Sequence, residues 1–145
     1  MPVRTANAQW EGGFKRGSGN VALGSGVFEG PYSARDRFED GPNTNPEELI
    51  GAAHAGCFTM ALSLGLEQAG NPPDKLETSA KVHIDPEEGG GFAITKIELS
   101  LVGRVPGIDE AAFKEAAEGA KAGCPVSKAL ASVPEITLDA RLESE

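Results

Sequence analysis

Residues 45–70 read NPEELIGAAHAGCFTMALSLGLEQAG, and this stretch decides the fold. Asn45 is a strong N-cap residue, Pro46 suits the first helical position, and Glu48 sits where a capping box needs its carboxylate. Gly70 can take the left-handed conformation that ends a helix, and Pro72 and Pro73 block any continuation. The predicted helix therefore runs from Asn45 to about Ala69. Between Leu49 and Leu66 it carries no Asp, Glu, Lys or Arg. A helix without a charged face is buried on all sides. Gly51, Ala52, Ala55 and Gly56 would let another backbone approach it closely. A chain this small cannot cover such a helix alone, so the reading calls for a second copy and a homodimer. A membrane span is the rival. It needs ~20 strongly apolar residues, and three glycines, His54, Thr59 and Ser63 make this segment too polar.

Outward from the helix, the N-terminal third reads as a three-stranded meander at Asn7 to Gly12, Gly19 to Leu23 and Gly26 to Glu29, with a charged, turn-rich loop from Pro31 to Asn45. Beyond the helix, Thr78 to Asp85 alternates, and Phe92 to Val105 is the longest strand. The apolar parity of the latter shifts between Ile94 and Ile97, which predicts a bulge. Asp109 caps a second helix with Ala112, Phe113, Ala116, Ala117 and Ala120 on one face and Gly123 at its end. Glu135 to Glu143 alternates as a last strand. The expected architecture is α+β: antiparallel sheets packed around a long buried central helix, in a single domain over residues 1–145.

The 145 residues carry a formal net charge of -9. Such a chain repels nucleic acid and anionic membrane surfaces, and neither is expected as a partner. Met1 to Trp10 lacks the basic and apolar regions of a secretory signal, so a cytoplasmic location is expected. In a reducing compartment stable disulfides are uncommon, and a cysteine pair is more often redox-active or metal-binding.

Those two are Cys57 and Cys124. Cys57 lies mid-helix, where burial raises a thiol's pKa and an inert core residue is the plain reading. Cys124 lies in GCPVSK, residues 123–128, where Pro125 at the first helical position makes it the N-cap of a short third helix. There the helix dipole and free N–H groups favour a thiolate. The pair is a redox couple or two unrelated thiols. His54, three residues before Cys57, reads as a core histidine. With Cys57, Cys124 and His83 it matches no tight zinc spacing, and neither a metal nor a cofactor is expected. Glu47 stands in the first helical turn, where the dipole alone favours a carboxylate.

The stretch from Asn45 to Leu62 resembles the signature helix of the osmotically inducible protein C family, and KAGCPVSK, residues 121–128, resembles its second cysteine motif. RFE at 37–39 is similar to the arginine motif of the osmotically inducible branch, as distinct from the organic hydroperoxide resistance branch. FAITKI at 92–97 and VPGID at 105–109 also fit, so the likeness spans essentially the whole chain. Asp40 stands where the family often has Gly. The resemblance implies an intertwined homodimer with active sites at the subunit interface. It implies a thiol peroxidase reducing organic hydroperoxides in oxidative or osmotic stress defence. Cys57 is then the peroxidatic cysteine, Cys124 the resolving cysteine, and Arg37 with Glu47 the activating pair. Arg35 competes for that role, and the neighbouring Phe38 favours Arg37. The implied reductant is an external dithiol, with lipoylated proteins as one such donor.

The required chemistry agrees with these roles. A mid-helix thiolate has no helix N-terminus to stabilise it, so it needs a cation. Arg37 supplies one, and Glu47 would hold it through a bidentate pair. Ten residues of helix separate Glu47 from Cys57 by ~15 Å along the axis. At least part of the Arg37–Glu47 pair is therefore expected to reach Cys57 from the partner chain, unless the helix bends. Two rivals stay open. A disulfide oxidoreductase needs an exposed cysteine. A non-enzymatic module binding a hydrophobic small molecule needs no cysteine chemistry.

Overall fold

The computed structural model describes residues 1–143, and the last two residues of the expected domain lie outside the described residues. The chain forms two compact units, Met1–Leu49 and Ile50–Glu145.

In the first unit, β1 (Ala6–Glu11), β2 (Ser18–Leu23) and β3 (Glu29–Tyr32) form an antiparallel sheet in the order β1-β2-β3. Gly19 on the central strand faces Trp10 on one side and Tyr32 on the other. The two rings meet edge to face, with centroids 5.4 Å apart. A Cβ at Gly19 would come within 2.7 Å of both rings, so only glycine fits between them. The third strand begins at Glu29, not at Gly26. The Gly24–Phe28 stretch is a turn, with Gly26 at φ 81° and the Leu23 N–H bonded to the Phe28 carbonyl. Pro31 is tolerated because β3 is an edge strand.

The stretch expected as a loop contains a short helix, α1 (Ala34–Phe38). Ser33 caps it, and the cap is organised around the buried Asp36. The Ser33 hydroxyl donates to Asp36 Oδ2 at 2.7 Å, and the Asn43 backbone N–H donates to Asp36 Oδ1 at 3.0 Å. The Asn45 side chain closes the knot by donating to the Asp36 carbonyl at 3.1 Å.

The long helix α2 (Pro46–Gln68) starts and stops where its punctuation predicts. Asn45 Oδ1 accepts from the Glu48 N–H at 2.7 Å. The Glu48 carboxylate takes the Thr44 hydroxyl at 2.7 Å, where a strict capping box would give it the Asn45 N–H. At the other end Gly70 has φ 88°, and the Asn71 N–H bonds the Leu66 carbonyl at 2.8 Å in a Schellman closure.

Within the second unit, β4 (Lys75–Pro86), β5 (Phe92–Arg104) and β6 (Glu135–Leu142) form a sheet in the order β4-β5-β6. His83 pairs with Lys96 and Ile84 with Ile94, so Thr95 is the extra residue of the expected bulge. β6 corrects the all-antiparallel expectation: it runs parallel to β5. The reason is the connection, which carries α3 (Glu110–Gly123) and α4 (Pro125–Ala129). A helical crossover carries the chain back to the end of the sheet at which β5 began, so the next strand runs parallel to it.

The core joins Phe58, Leu62 and Leu66 of α2 to Ile97, Leu99 and Leu101 of β5 and Phe113 and Ala117 of α3. The first three recur at helical spacing and the next three at strand spacing. Gly51 lets α2 lie close to β4: a Cβ there would stand 3.3 Å from Val82. The expectation that α2 is buried on all sides does not hold within one chain. Gly51, His54, Phe58, Leu62 and Leu66 are buried, but Ala53, Gly56, Met60 and Leu64 form an exposed stripe. Met60 is 76% exposed and Leu64 54%.

Candidate active site

The residues singled out from the sequence meet in two pairs, one in each unit. In the first, Arg37 on α1 and Glu47 in the opening turn of α2 form a bidentate ion pair. Arg37 Nε donates to both Glu47 oxygens at 3.1 and 3.2 Å, and Nη2 donates to Oε2 at 3.0 Å. The Glu47 side chain is nearly buried and that of Arg37 is 39% exposed. The guanidinium also lies 5.5 Å from the centroid of the Phe38 ring. Arg37 makes this pair, and Arg35, its competitor, does not. The fork-to-fork geometry fixes the guanidinium plane and leaves Nη1 outside the pair.

Because Arg37 follows Asp36 directly, the knot around Asp36 sets where the guanidinium stands. Asp36→Ala removes the acceptor for Ser33 and Asn43 and orphans a backbone N–H. The variant is expected to melt at lower temperature, with faster amide hydrogen exchange over residues 33–45. Unchanged exchange at Asn43 would show that the loop holds without it.

In the second pair, Cys57 on α2 and Cys124 are free thiols, near enough for each to shift the other's ionisation. Cys57 is half-buried and Cys124 is completely buried, and both belong to the apolar cluster. Cys124 takes the position its sequence predicts. It is at once the C-cap of α3, through its N–H to the Ala120 carbonyl at 2.9 Å, and the N-cap of α4, with Pro125 following. The Ser127 N–H donates to Cys124 Sγ at 3.5 Å.

The two thiols ionise unequally. Burial raises the pKa of Cys57, and the hydrogen bond with Cys124 raises it further, against a lowering contribution from the Val126 N–H. Burial also opposes ionisation of Cys124. There the Cys57 thiol, the Ser127 N–H and hydroxyl and the Val126 N–H together outweigh it, and the pKa falls. Among the described residues of the second unit, the groups that act on Cys57 thus include no cation.

Sequence reading left one contact unseen. His54, completely buried, bonds through Nε2 to Ser127 Oγ at 2.7 Å across 73 residues of sequence. No spacing rule links those positions. His83, expected to face solvent, is partly exposed and pairs with Glu98 across the β4–β5 ladder.

A three-stranded meander, a long helix on a mixed sheet and two free thiols, one half-buried on that helix and one buried at a helix junction, define an α+β dithiol protein. The chain belongs to the OsmC-like protein family, whose pattern matches residues 39–139. It is 52% identical to the peroxiredoxin OsmC of Escherichia coli over 142 residues, 97% of each chain. It is 36% identical to an organic hydroperoxide resistance protein of Xanthomonas axonopodis over 103 residues, 68% of this chain and 67% of that one. Among solved structures, the organic hydroperoxide resistance protein OhrB of Bacillus subtilis superposes with a TM-score of 0.67 at 26% identity, covering 96% of this chain and 98% of that one.

Proposed function

We propose that this chain is a thiol peroxidase that reduces organic hydroperoxides to alcohols, with Cys57 as nucleophile and Cys124 as resolving cysteine. The observation that carries the reading is the neighbouring pair of free thiols, Cys57 and the α4-capping Cys124, in a chain 52% identical to a peroxiredoxin. The Cys57 thiolate attacks the terminal oxygen of the hydroperoxide. The O–O bond breaks, the sulfur keeps the hydroxyl as a sulfenic acid, and the alkoxide takes a proton to leave as alcohol. Cys124 then displaces hydroxide from the Cys57 sulfur, closing a disulfide that protects Cys57 from irreversible oxidation. An external dithiol, of the kind carried by lipoylated proteins, reduces that disulfide and completes the cycle in the cytoplasm. Arg37 stabilises both the Cys57 thiolate and the developing alkoxide, and Glu47 holds it in place. The half-buried, apolar setting of Cys57 favours alkyl hydroperoxides over hydrogen peroxide. It also disfavours exchange with protein disulfides, which needs an exposed thiol.

The test supplies the purified protein with cumene hydroperoxide or hydrogen peroxide and dihydrolipoamide. Faster consumption of the organic peroxide supports the assignment. No consumption of either would bring forward a module that binds hydrophobic small molecules without chemistry.

The two units act together as one functional domain, in an intertwined homodimer. Two features support it. Five of the six β1 residues are exposed, which leaves a small sheet with little core of its own. The uncharged stripe of Ala53, Gly56, Met60 and Leu64 is small and apolar enough for a second α2 to pack on it. Met60→Lys places a charge in that contact and is expected to shift the sedimenting species from dimer to monomer. A wild-type protein that sediments as a monomer would refute the dimer.

A further inference from the structure

His54 is buried, titratable and unused by the chemistry above, and its hydrogen bonding is incomplete. Nε2 meets Ser127 Oγ at 2.7 Å, while Nδ1 is buried with no partner among the described residues. Burial lowers the pKa of the ring, so the imidazole is neutral. Its proton then sits on one nitrogen or the other. On Nδ1 it would be a buried N–H with no acceptor, and the Ser127 hydroxyl would be consumed in donating to Nε2. On Nε2 it satisfies Ser127 Oγ as acceptor and orphans only a lone pair. Buried unpaired donors are the rarer and costlier case, so the proton belongs on Nε2. The Ser127 hydroxyl is then free to donate. Its neighbour is Cys124 Sγ, which already accepts the Ser127 backbone N–H at 3.5 Å.

We propose that His54 and Ser127 are positioning residues for the resolving cysteine: His54 Nε2–H orients the Ser127 hydroxyl, which donates to Cys124 Sγ and holds it as the thiolate. The inference rests on the reading of Cys124 as the resolving cysteine. It concerns the second and third steps of the cycle. In resolution the Cys124 thiolate attacks the Cys57 sulfenic sulfur; the S–S bond forms, the S–O bond breaks, and hydroxide leaves and takes up a proton as water. In reduction the external dithiol attacks Cys57, and Cys124 departs as the thiolate. A stabilised thiolate is present in larger fraction for the first event and leaves faster in the second. The contact also ties α2, one turn before Cys57, to α4, which Cys124 caps, and so keeps the two sulfurs together when their bond is open.

The test isolates Cys124 in a Cys57→Ser background and follows its ionisation by ultraviolet thiolate absorbance against pH. Ser127→Ala is expected to raise the Cys124 pKa by about one unit, since one hydrogen bond to the charged form is lost. Ser127→Thr, which keeps the hydroxyl, leaves it near the parent value. His54→Gln keeps an N–H donor at the end of the side chain and rescues the shift that His54→Leu causes. If His54→Leu does not fold, the two Ser127 variants decide the question. A folded Ser127→Ala protein with an unmoved Cys124 titration overturns the proposal. In the otherwise unaltered chain, Ser127→Ala is expected to lengthen the lifetime of the Cys57 sulfenic acid, trapped by dimedone, about tenfold. An unchanged lifetime counts against the relay. Absence of any sulfenic acid in the parent chain refutes the peroxidase reading, while the titration still reports on the hydrogen bonds.

Discussion

Cys57→Ser is expected to lower organic hydroperoxide turnover by at least roughly three orders of magnitude, as loss of a covalent nucleophile does. Cys124→Ser is expected to behave differently. It should consume close to one equivalent of peroxide per site in a first, fast phase and then stop. The reason is the division of labour between the two sulfurs. Of the two, Cys57 is partly accessible and Cys124 is completely buried. Peroxide therefore meets Cys57 first, and without Cys124 the sulfenic acid has no thiol in reach. A second equivalent of peroxide drives it to sulfinic acid, which an external dithiol does not reverse. Mass spectrometry of the intact protein after a stoichiometric and an excess dose of peroxide reads both outcomes. A Cys124→Ser protein that turns over repeatedly would show that the external dithiol reaches the sulfenic acid directly. A Cys57→Ser protein that keeps the fast phase would exchange the roles of the two cysteines.

The elements that were legible in the sequence are those whose ends are chemically marked. Asn45, Pro46, Gly70 and the prolines after it bound α2 because each solves a problem at a helix terminus. Cys124-Pro125 likewise announces a cap, and the structure places Cys124 at the junction of α3 and α4. The bulge at Thr95 was readable because a strand that changes parity must gain a residue. The helix α1 also had a signal, Ser33 three residues before Asp36, but a five-residue helix dense in charge looks like a solvated loop. The direction of β6 could have been read from the two helices that precede it, since hairpins do not contain crossovers.

What pattern could not supply was pairing at a distance and the identity of the covering surface. Uncharged residues all around α2 say that every face leaves water, but not whether the same chain or another does the covering. In one chain the Phe58 face is covered and the Met60 face is not. Arg37 and Glu47 are ten residues apart, at no helical or strand period, so their ion pair came from family resemblance and not from spacing. His54 and Ser127 are farther apart still, and only the packing of α2 against α4 brings them together.

Arg37→Lys is expected to lower the second-order rate of Cys57 oxidation by about 10²–10³, the loss usual when a charge-stabilising donor leaves the reacting centre. Arg35→Lys should leave it unchanged. Lysine keeps the positive charge but cannot hold Glu47 bidentately and still present a second edge of donors, as the proposed role of Arg37 requires. The need for that cation is visible in the second unit, where burial and Cys124 both push the Cys57 pKa upward. The same variant decides which chain supplies the cation. Glu47 and Cys57 stand ten residues apart on α2, ~15 Å along a straight helix axis, which argues for service across the dimer. Arg37→Lys and Cys57→Ser protomers are each expected to keep at most about a hundredth of the activity alone. Mixed and allowed to exchange subunits, they recover activity only if a site takes Arg37 from one chain and Cys57 from the other. Random exchange then gives roughly a quarter of the wild-type rate, because half of the dimers are mixed and each holds one intact site. If both groups of a site come from one chain, no combination of these protomers contains an intact site, and the mixture stays inactive.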